Sequence, residues 1–157
     1  MLEVGSRLPE KTFSLLQDGE MKNPTTADLF AGKKVAFFAV PGAFTPTCSA
    51  AHLPGYVALA DQFQAKGVDS IICLSVNDAF VMDSWGKAQN AEHLVMLADG
   101  NAGFTAAAGM DMDTDAFGGV RSIRYSMLVD DGVVTALNVE APGKFEVSDA
   151  ETLLKAL

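Results

Sequence analysis

The order of its elements predicts that this chain is an α/β protein with a mixed central β-sheet flanked by helices. Three apolar, strand-forming runs alternate with helical segments, and a hairpin and a last helix follow them. Strands that are separated by helices usually pair in parallel, whereas a hairpin brings antiparallel strands. The sheet is therefore expected to contain both arrangements.

The alternating strands and helices occupy residues 33–108. Runs rich in Val, Ile, Leu and Phe mark the strands, and longer stretches of small and apolar residues mark the helices. We predict strands at 33–40, 68–76 and 93–98, and helices at 49–66, 79–89 and 101–108. The helix at 49–66 contains Pro54-Gly55, which predicts a kink or a restart at that point.

The last third of the chain predicts a hairpin and a helix. Asp130-Asp131-Gly132 separates two apolar runs at 125–129 and 133–139, and Asp-Gly in this position is a strong hairpin signal. We expect Ser148 to cap a final helix at 149–157, whose first turn carries acidic residues. These elements complete the α/β pattern.

Composition fits one compact domain, which we place at residues 1–157. The chain is 49% hydrophobic and 20% charged, and a protein of this length buries a sizeable core without disulfides. No apolar run approaches the roughly 20 residues that span a bilayer. The N-terminus lacks a basic region followed by an apolar one, so we expect a cytoplasmic protein.

Charge and cysteine content exclude several kinds of function. The formal net charge is −9, and no cluster of Lys and Arg stands out. Nucleic acids and anionic membranes would be repelled by such a surface, so neither is an expected partner. Two cysteines are too few for a disulfide scaffold. Cys48 and Cys73 therefore need separate explanations.

The segment VPGAFTPTCS at 40–49 is the strongest functional signal in the chain. It follows a predicted buried strand and leads into a helix, and chemistry in α/β sheets gathers beyond the carboxyl ends of parallel strands. Pro46 suits the first helical position and Thr45 suits the cap, which places Cys48 in the first turn. Unpaired backbone N–H groups and the helix dipole favour an anion there.

A thiolate is such an anion, so Cys48 is predicted to be a reactive thiol. A free cysteine with a pKa of about 8.5 is only slightly ionised at neutral pH, whereas first-turn cysteines beside a cation have pKa values of roughly 3.5–7.5. Arg121 or Arg124 could supply the cation, although surface salt bridges are the ordinary use of such residues. The alternative is a buried small hydrophobe, which the loop-fixing prolines Pro41 and Pro46 argue against.

The second cysteine and the two histidines are weaker signals. Cys73 lies in the middle of a predicted strand, which favours a core residue. A structural zinc site needs four ligands, but Cys73 and His93 lie on different elements from Cys48 and His52. A Cys–His hydrolase would need a histidine that a third group orients. His52, four residues after Cys48, is better explained as a packing or hydrogen-bonding residue.

The acidic run at 111–115 is similar to the start of a calcium-binding loop. Ala116 stands where such a loop has Gly, and Ser122 stands where it has Glu. We therefore predict a solvated acidic loop at this position.

Beyond these separate signals, the chain resembles the peroxiredoxins, specifically the peroxiredoxin-5 or type II subfamily. PGAFTPTCS at 41–49 and HLPGY at 52–56 are similar to the active-site signature of that family. Similar stretches are CLSVNDAFV (73–81), LAD (97–99), RYSM (124–127) and ALNVE (136–140). The resemblance implies a thioredoxin-like fold and an antioxidant enzyme that reduces hydroperoxides with a cysteine and needs no metal or organic cofactor.

The resemblance also implies a role for each residue of the site. Cys48 is expected to be the peroxidatic thiolate, which becomes a sulfenic acid. Thr45 is expected to hydrogen-bond the sulfur and the peroxide, Pro41 to shield the site from water, and Arg124 to donate to the sulfur and the peroxide oxygens. Backbone N–H groups at Thr47 and Cys48 complete the expected cradle.

Regeneration and assembly are implied by the same resemblance. Residues 141–157 contain no cysteine, whereas Cys73 lies 25 residues after Cys48, as in plant-like and several bacterial members. Either Cys73 resolves the sulfenic acid, or an outside thiol does so, such as glutathione with glutaredoxin, or thioredoxin. We favour the outside thiol, because a buried Cys73 would reach Cys48 only after local unfolding. A homodimer built through loops near the site is also expected.

A function of another class stays open at this point. In a redox sensor, Cys48 would oxidise and change a contact with a partner without steady turnover. Repeated consumption of peroxide with a thiol donor would separate an enzyme from such a sensor.

Overall fold

A computed structural model describes residues 1–157 and has a five-stranded mixed sheet at its centre. The strands, in spatial order, are β5 (Val95–Ala98), β4 (Ser70–Ser75), β3 (Lys34–Ala39), β8 (Tyr125–Asp130) and β9 (Val133–Val139). The first three run parallel to one another, whereas β8 is antiparallel to both β3 and β9. The predicted α/β class with a mixed central sheet is confirmed.

Five helices and two small hairpins surround the sheet. The helices are α1 (Thr26–Phe30), α2 (Leu53–Ala65), α3 (Ala79–Ala88), α4 (Gly103–Ala107) and α5 (Ala150–Lys155). The hairpins pair β1 (Leu15–Gln17) with β2 (Glu20–Lys22), and β6 (Asp111–Asp113) with β7 (Val120–Ser122). A single 3₁₀ turn, Asp115–Phe117, lies within the second hairpin. None of the helices combines the length and the apolar character that crossing a bilayer requires.

The sheet separates two hydrophobic cores, because β3 is buried on both faces. Val35, Phe37 and Ala39 point into one core, and Ala36 and Phe38 point into the other. Burial on both faces explains the continuous apolar run that marks this strand in the sequence. The Phe38 side contains α2, α3 and α5 together with both cysteines, and the opposite side contains α1 and α4.

The helix that follows the 40–49 segment begins irregularly. Cys48–His52 forms a π-helical turn, and the Leu53 N–H donates to the Cys48 carbonyl five residues earlier. Pro54 has no N–H to offer the Ala50 carbonyl and crowds it, and a widened turn relieves both problems. The restart predicted at Pro54-Gly55 takes this form.

Two predictions of local structure need correction. The final helix begins at Ala150, and its cap is Asp149, whose side chain accepts from the Thr152 N–H. The predicted cap at Ser148 is therefore wrong by one residue, since neighbouring Ser and Asp are equally good caps and only the backbone path decides between them. The acidic segment at 111–115 is also more ordered than a solvated loop, because its first three residues form β6.

Candidate active site

Cys48 lies between the end of β3 and the start of α2, in the first helical turn. The Ser49 N–H donates to the Thr45 carbonyl across 2.9 Å, which closes that turn. The Cys48 side chain has no solvent-exposed surface, and its thiol is not bonded to Cys73. The structure thus places Cys48 at the helix start that the sequence predicts.

Arg124 brings a positive charge to this sulfur. Its Nη2 donates to Cys48 Sγ across 3.1 Å. Arg124 directly precedes β8, the antiparallel neighbour of β3, so the sheet brings together two residues that are distant in the sequence. The Glu140 N–H donates to the Arg124 carbonyl across 3.0 Å and fixes the arginine backbone at the end of β9. A guanidinium in this position favours a thiolate.

The same guanidinium also donates to His52. Arg124 Nη1 donates to His52 Nδ1 across 2.8 Å, and His52 Nε2 donates to the Ser148 carbonyl across 2.9 Å. A guanidinium can only donate and a carbonyl can only accept, so the two contacts define a neutral ring with its proton on Nε2. Burial, and next the charge of Arg124, lower the pKa of His52 to about 3. His52 is therefore an acceptor for Arg124 at neutral pH.

The Glu140 carboxylate organises the loop that carries the Ser148 carbonyl. It accepts hydrogen bonds of 2.7–2.9 Å from three successive backbone N–H groups and one hydroxyl, those of Glu146, Val147 and Ser148. Burial by itself would raise the pKa of Glu140, but these hydrogen bonds outweigh it and the pKa is lowered. Glu140 is therefore an anion enclosed by donors.

Two aromatic side chains support this arrangement. The Tyr56 hydroxyl donates to the Ser148 carbonyl across 2.9 Å, so that carbonyl accepts from both Tyr56 and His52. The Phe145 ring lies 4.8 Å from the His52 ring, centroid to centroid. The guanidinium carbon of Arg124 lies 5.8 Å from the Phe145 centroid, within the range of a cation–π contact.

Thr45 and Pro41 lie on the loop that leads from β3 into the helical turn of Cys48. The Thr45 hydroxyl donates to the Gly42 carbonyl across 2.7 Å. Its proton is thus used within the loop, and the structure shows no Thr45–Cys48 hydrogen bond of the kind that the family resemblance implies. Pro41 is half-buried where β3 ends.

Trp85 of α3 anchors the first turn that carries Cys48. Its Nε1–H donates to the Ser49 hydroxyl across 3.0 Å. The Phe44 ring lies 6.4 Å from the Trp85 ring, and Phe44 has a φ of +63°. A bulky side chain in this left-handed region indicates a loop whose path is imposed by its surroundings.

Cys73 belongs to the core beside the site. It lies opposite Phe38 in the parallel pairing of β3 with β4 and has no exposed surface. Burial, and next the negative charge of Cys48, raise the pKa of the Cys73 thiol well above its usual value. Cys73 is therefore a neutral thiol in the folded protein.

The other residues considered from the sequence serve elsewhere. Arg121 donates to the Gly118 and Val76 carbonyls across 2.9 and 2.7 Å and so braces the β6–β7 hairpin. His93 is exposed. No three side chains of His, Cys, Asp or Glu converge on a point where they could hold a metal ion.

Sequence reasoning missed three residues that support the site: Glu140, Ser148 and Phe145. Glu140 stands in a stretch that resembles the family, but its partners are backbone N–H groups of a loop, which any sequence possesses. No local pattern indicates such a contact. For His52, the sequence predicts a packing or hydrogen-bonding role but does not identify Arg124 as its partner.

The chain is similar over nearly its whole length to a family model and to known proteins. The redoxin family matches residues 3–154. Chloroplastic peroxiredoxin-2E-2 of Oryza sativa is 51% identical over 99% of this chain and 72% of its own length, and peroxiredoxin-2B of Arabidopsis thaliana is 46% identical over 99% and 98%. Reduced Prx3 of Vibrio vulnificus, solved in complex with H₂O₂, is 63% identical and has a TM-score of 0.97 over 99% of each chain.

A buried cysteine beside a guanidinium, at a helix start on a mixed sheet, defines a thiol-based redox protein. The chain belongs to the redoxin family and, within it, to the peroxiredoxins. It therefore has a thioredoxin-like fold and is a thiol peroxidase with an antioxidant function. The family predicted from the 41–49 segment is confirmed.

Proposed function

We propose that Cys48 attacks hydroperoxides as a thiolate and that Arg124 stabilises the charge on which the attack depends. The observation that carries this proposal is the 3.1 Å contact between Arg124 Nη2 and Cys48 Sγ in a buried site. Away from water, a fixed cation stabilises negative charge on the sulfur before reaction and on the departing oxygen during it. The peroxide complex of the V. vulnificus relative supports hydrogen peroxide as one substrate, and organic hydroperoxides are proposed with it.

In the proposed step, the thiolate attacks one peroxide oxygen along the O–O axis. The S–O bond forms while the O–O bond breaks, so the sulfur is oxidised by two electrons and the peroxide is reduced. The departing hydroxide or alkoxide takes up a proton and leaves as water or an alcohol. Cys48 is left as a sulfenic acid, and no metal or organic cofactor takes part.

Thr45 and Pro41 are assigned to the binding and shielding of the peroxide. The Thr45 hydroxyl donates to the Gly42 carbonyl, which leaves its oxygen free to accept the O–H of a peroxide. Pro41 has no N–H and presents an apolar ring, so it offers water little to bind. Because Cys48 has no exposed surface, the peroxide reaches the sulfur only when side chains that cover it move aside.

We assign reduction of the sulfenic acid to an outside thiol, glutathione with glutaredoxin or thioredoxin. Two thiols supply the two electrons and the protons: the first forms a mixed disulfide with Cys48 and releases water, and the second restores the thiol. Cys73 is a poor resolving residue, since it is buried in the middle of a strand that is paired on both sides. The predicted cytoplasmic location, where glutathione keeps thiols reduced, fits this assignment and stays a prediction.

A homodimer through the loops beside the site is part of the proposal. Large apolar side chains are exposed at this end of the molecule: Phe44, Phe80, Phe117 and Val120. Hydrogen bonds join the segments that carry them, from the Ala43 N–H to Asn77 Oδ1 and from Arg121 to the Val76 carbonyl. An apolar patch of this kind marks an interaction surface, and a second copy of the chain is its proposed occupant.

Sedimentation analysis tests the dimer. The wild-type protein should sediment as a dimer, and Phe117→Ser should shift it towards the monomer. Met21→Ser, which removes an exposed apolar side chain from the β1–β2 hairpin, is the matched control. A wild-type monomer at micromolar concentration would remove this part of the proposal.

Replacement of Cys48 by serine tests the proposed chemistry. Peroxide consumption in the presence of glutathione and glutaredoxin, or of reduced thioredoxin, should fall to background, because a serine hydroxyl supplies no thiolate and forms no sulfenic acid. Consumption that survives in this variant would refute the assignment. A sensor that does not turn over would instead consume about one equivalent of peroxide in the wild type and then stop.

A further inference from the structure

Glu140 makes two separate sets of hydrogen bonds beside the site, one from its backbone and one through its carboxylate. Its N–H donates to the Arg124 carbonyl across 3.0 Å, and its carboxylate holds the loop at 146–148. Glu140 is only 7% exposed. No cation pairs with it, since the single ion pair of the structure joins Lys87 to Asp83. Burial of a carboxylate without a counter-ion costs free energy, so the presence of Glu140 at this position calls for an explanation.

A series of hydrogen bonds connects the Glu140 carboxylate to the Cys48 sulfur, and the donor of each bond is defined. The Ser148 N–H and hydroxyl donate to Glu140 across 2.8 and 2.7 Å, which fixes the position of the residue that carries the Ser148 carbonyl. That carbonyl accepts from His52 Nε2, and His52 Nδ1 accepts from Arg124 Nη1. The remaining terminal nitrogen, Arg124 Nη2, donates to Cys48 Sγ.

We infer that Glu140 and His52 are positioning residues, which together aim the Arg124 guanidinium at Cys48. Glu140 fixes the Ser148 carbonyl, the carbonyl keeps the His52 proton on Nε2, and the free Nδ1 lone pair holds one arm of the guanidinium fork. Because the fork is planar, holding Nη1 also fixes Nη2 at the sulfur. The inference rests on the proposed role of Cys48 and Arg124. It adds the residues that hold the Arg124 guanidinium against the Cys48 sulfur.

The inference predicts that loss of the Glu140 carboxylate disfavours the Cys48 thiolate. The loss of a negative charge, taken alone, would have the opposite effect. Removal of the Glu140 charge by itself would make the surroundings of the sulfur more positive and favour the thiolate. Loss of the aimed guanidinium would disfavour the thiolate instead. The direction of the change therefore separates a positioning residue from a distant charge.

Glu140→Gln and Glu146→Gln provide the matched comparison. Both remove one negative charge from the same loop region, but the Glu146 side chain is exposed and only its backbone N–H is used. In Glu140→Gln, an NH₂ group replaces one of the two acceptor oxygens and faces N–H donors of the loop, and the remaining oxygen accepts without a negative charge. We expect the pH midpoint of Cys48 alkylation to rise by about one unit and the peroxide rate constant to fall about tenfold. Glu146→Gln should stay near wild type.

Variants of His52 test the next step of the path. Asn places its Oδ1 near the position of the His Nδ1 and can still accept from Arg124, whereas Gln extends its amide towards Ser148 and leaves Arg124 without an acceptor. His52→Gln should therefore lose more of the peroxide rate constant than His52→Asn, by about tenfold. This pair tests the contact between His52 and Arg124 on which the inference depends, so equal losses would overturn the inference even where Glu140→Gln fails to fold.

These experiments distinguish failure of this inference from failure of the proposed function. Alkylation is measured without peroxide, so it tests the aim of Arg124 independently of catalysis. A folded Glu140→Gln protein with an unchanged or lowered alkylation midpoint would overturn the inference, as would equal losses in the two His52 variants. Activity that persists after Cys48→Ser would overturn the proposed function.

Discussion

The Phe38 ring lies flat against the Tyr56 ring, with centroids 3.9 Å apart and planes inclined by 6°. Phe38 belongs to β3 and Tyr56 to α2, so the stack joins the sheet to the helix that follows Cys48. The Phe38 ring also lies 4.8 Å from the His52 ring. Packing between the first strand of the site and its helix thus supports the residue that contacts Arg124.

The ring of Tyr56 should contribute more to the free energy of unfolding than its hydroxyl. Burial raises the pKa of Tyr56, so its hydroxyl stays a donor to Ser148. Tyr56→Phe loses one hydrogen bond and should lower the free energy of unfolding by about 1 kcal/mol. Tyr56→Ala also loses the stack and leaves a cavity, which costs about 3–5 kcal/mol. Urea denaturation measures both, and equal losses in the two variants would show that the stack contributes nothing.

Replacement of Arg124 by alanine should weaken both ionisation and reaction of Cys48. The variant loses the cation and the donor 3.1 Å from the sulfur. We expect the alkylation midpoint to rise by about one pH unit or more and the peroxide rate constant to fall about 100-fold. Arg124→Lys should recover part of the loss, because it restores a charge without the two-armed fork.

Arg121→Ala is the control for that experiment. It removes a guanidinium from the same end of the molecule, but one whose donors are used on the Gly118 and Val76 carbonyls. Its alkylation profile should stay near that of the wild type. If Arg124→Ala behaves like Arg121→Ala, Arg124 has no part in the site.

The buried histidine should make stability depend on pH in a defined window. The pKa of His52 is lowered from 6.5 to about 3 by burial and by Arg124, with Glu140 and Asp149 acting in the opposite direction. The unfolded chain therefore binds a proton that the folded protein rejects, and stability falls as the pH drops below 6.5. Between pH 7 and pH 5 the loss should be about 2 kcal/mol.

Urea denaturation at pH 7 and pH 5 measures this loss. His52→Asn should show a correspondingly smaller change between the two pH values. His93→Asn, which removes the exposed histidine, is the matched control and should keep the wild-type difference. An unaltered pH dependence in His52→Asn would mean that the folded protein accepts a proton on His52.

Cys73 should be dispensable for turnover with an outside thiol. Cys73→Ser removes the thiol from a buried position in β4 and should retain turnover that glutathione and glutaredoxin support. Steady-state consumption of peroxide measures it, with circular dichroism as the check on folding. Complete loss of turnover in the folded variant would make Cys73 the resolving residue.

The location of the reactive cysteine could be predicted from the sequence because local chemistry encodes it. A continuous apolar strand, Pro46 at the first helical position and Thr45 before it together place Cys48 in the first turn. The arginine could not be chosen on the same grounds. Arg121 and Arg124 stand three residues apart, and the antiparallel pairing of β3 with β8 decides which one reaches the sulfur.

The contacts that hold Arg124 in place involve backbone groups, and such contacts produce no recognisable pattern in the sequence. Glu140 binds backbone N–H groups, and the Ser148 carbonyl binds His52 and Tyr56. Every residue has a carbonyl and every residue except proline has an N–H, so only the path of the 140–148 loop determines these partners. The predicted cap at Ser148 was wrong for the same reason: the side chain of this serine donates to Glu140 instead.

Mass spectrometry of the reduced protein after one equivalent of hydrogen peroxide tests the central claim most directly. With dimedone present to trap sulfenic acid, the adduct should form on Cys48 while Cys73 stays a free thiol, and added glutathione should instead give a mixed disulfide at Cys48. Peroxide consumption that leaves Cys48 unmodified, or an adduct on Cys73 alone, would contradict the account.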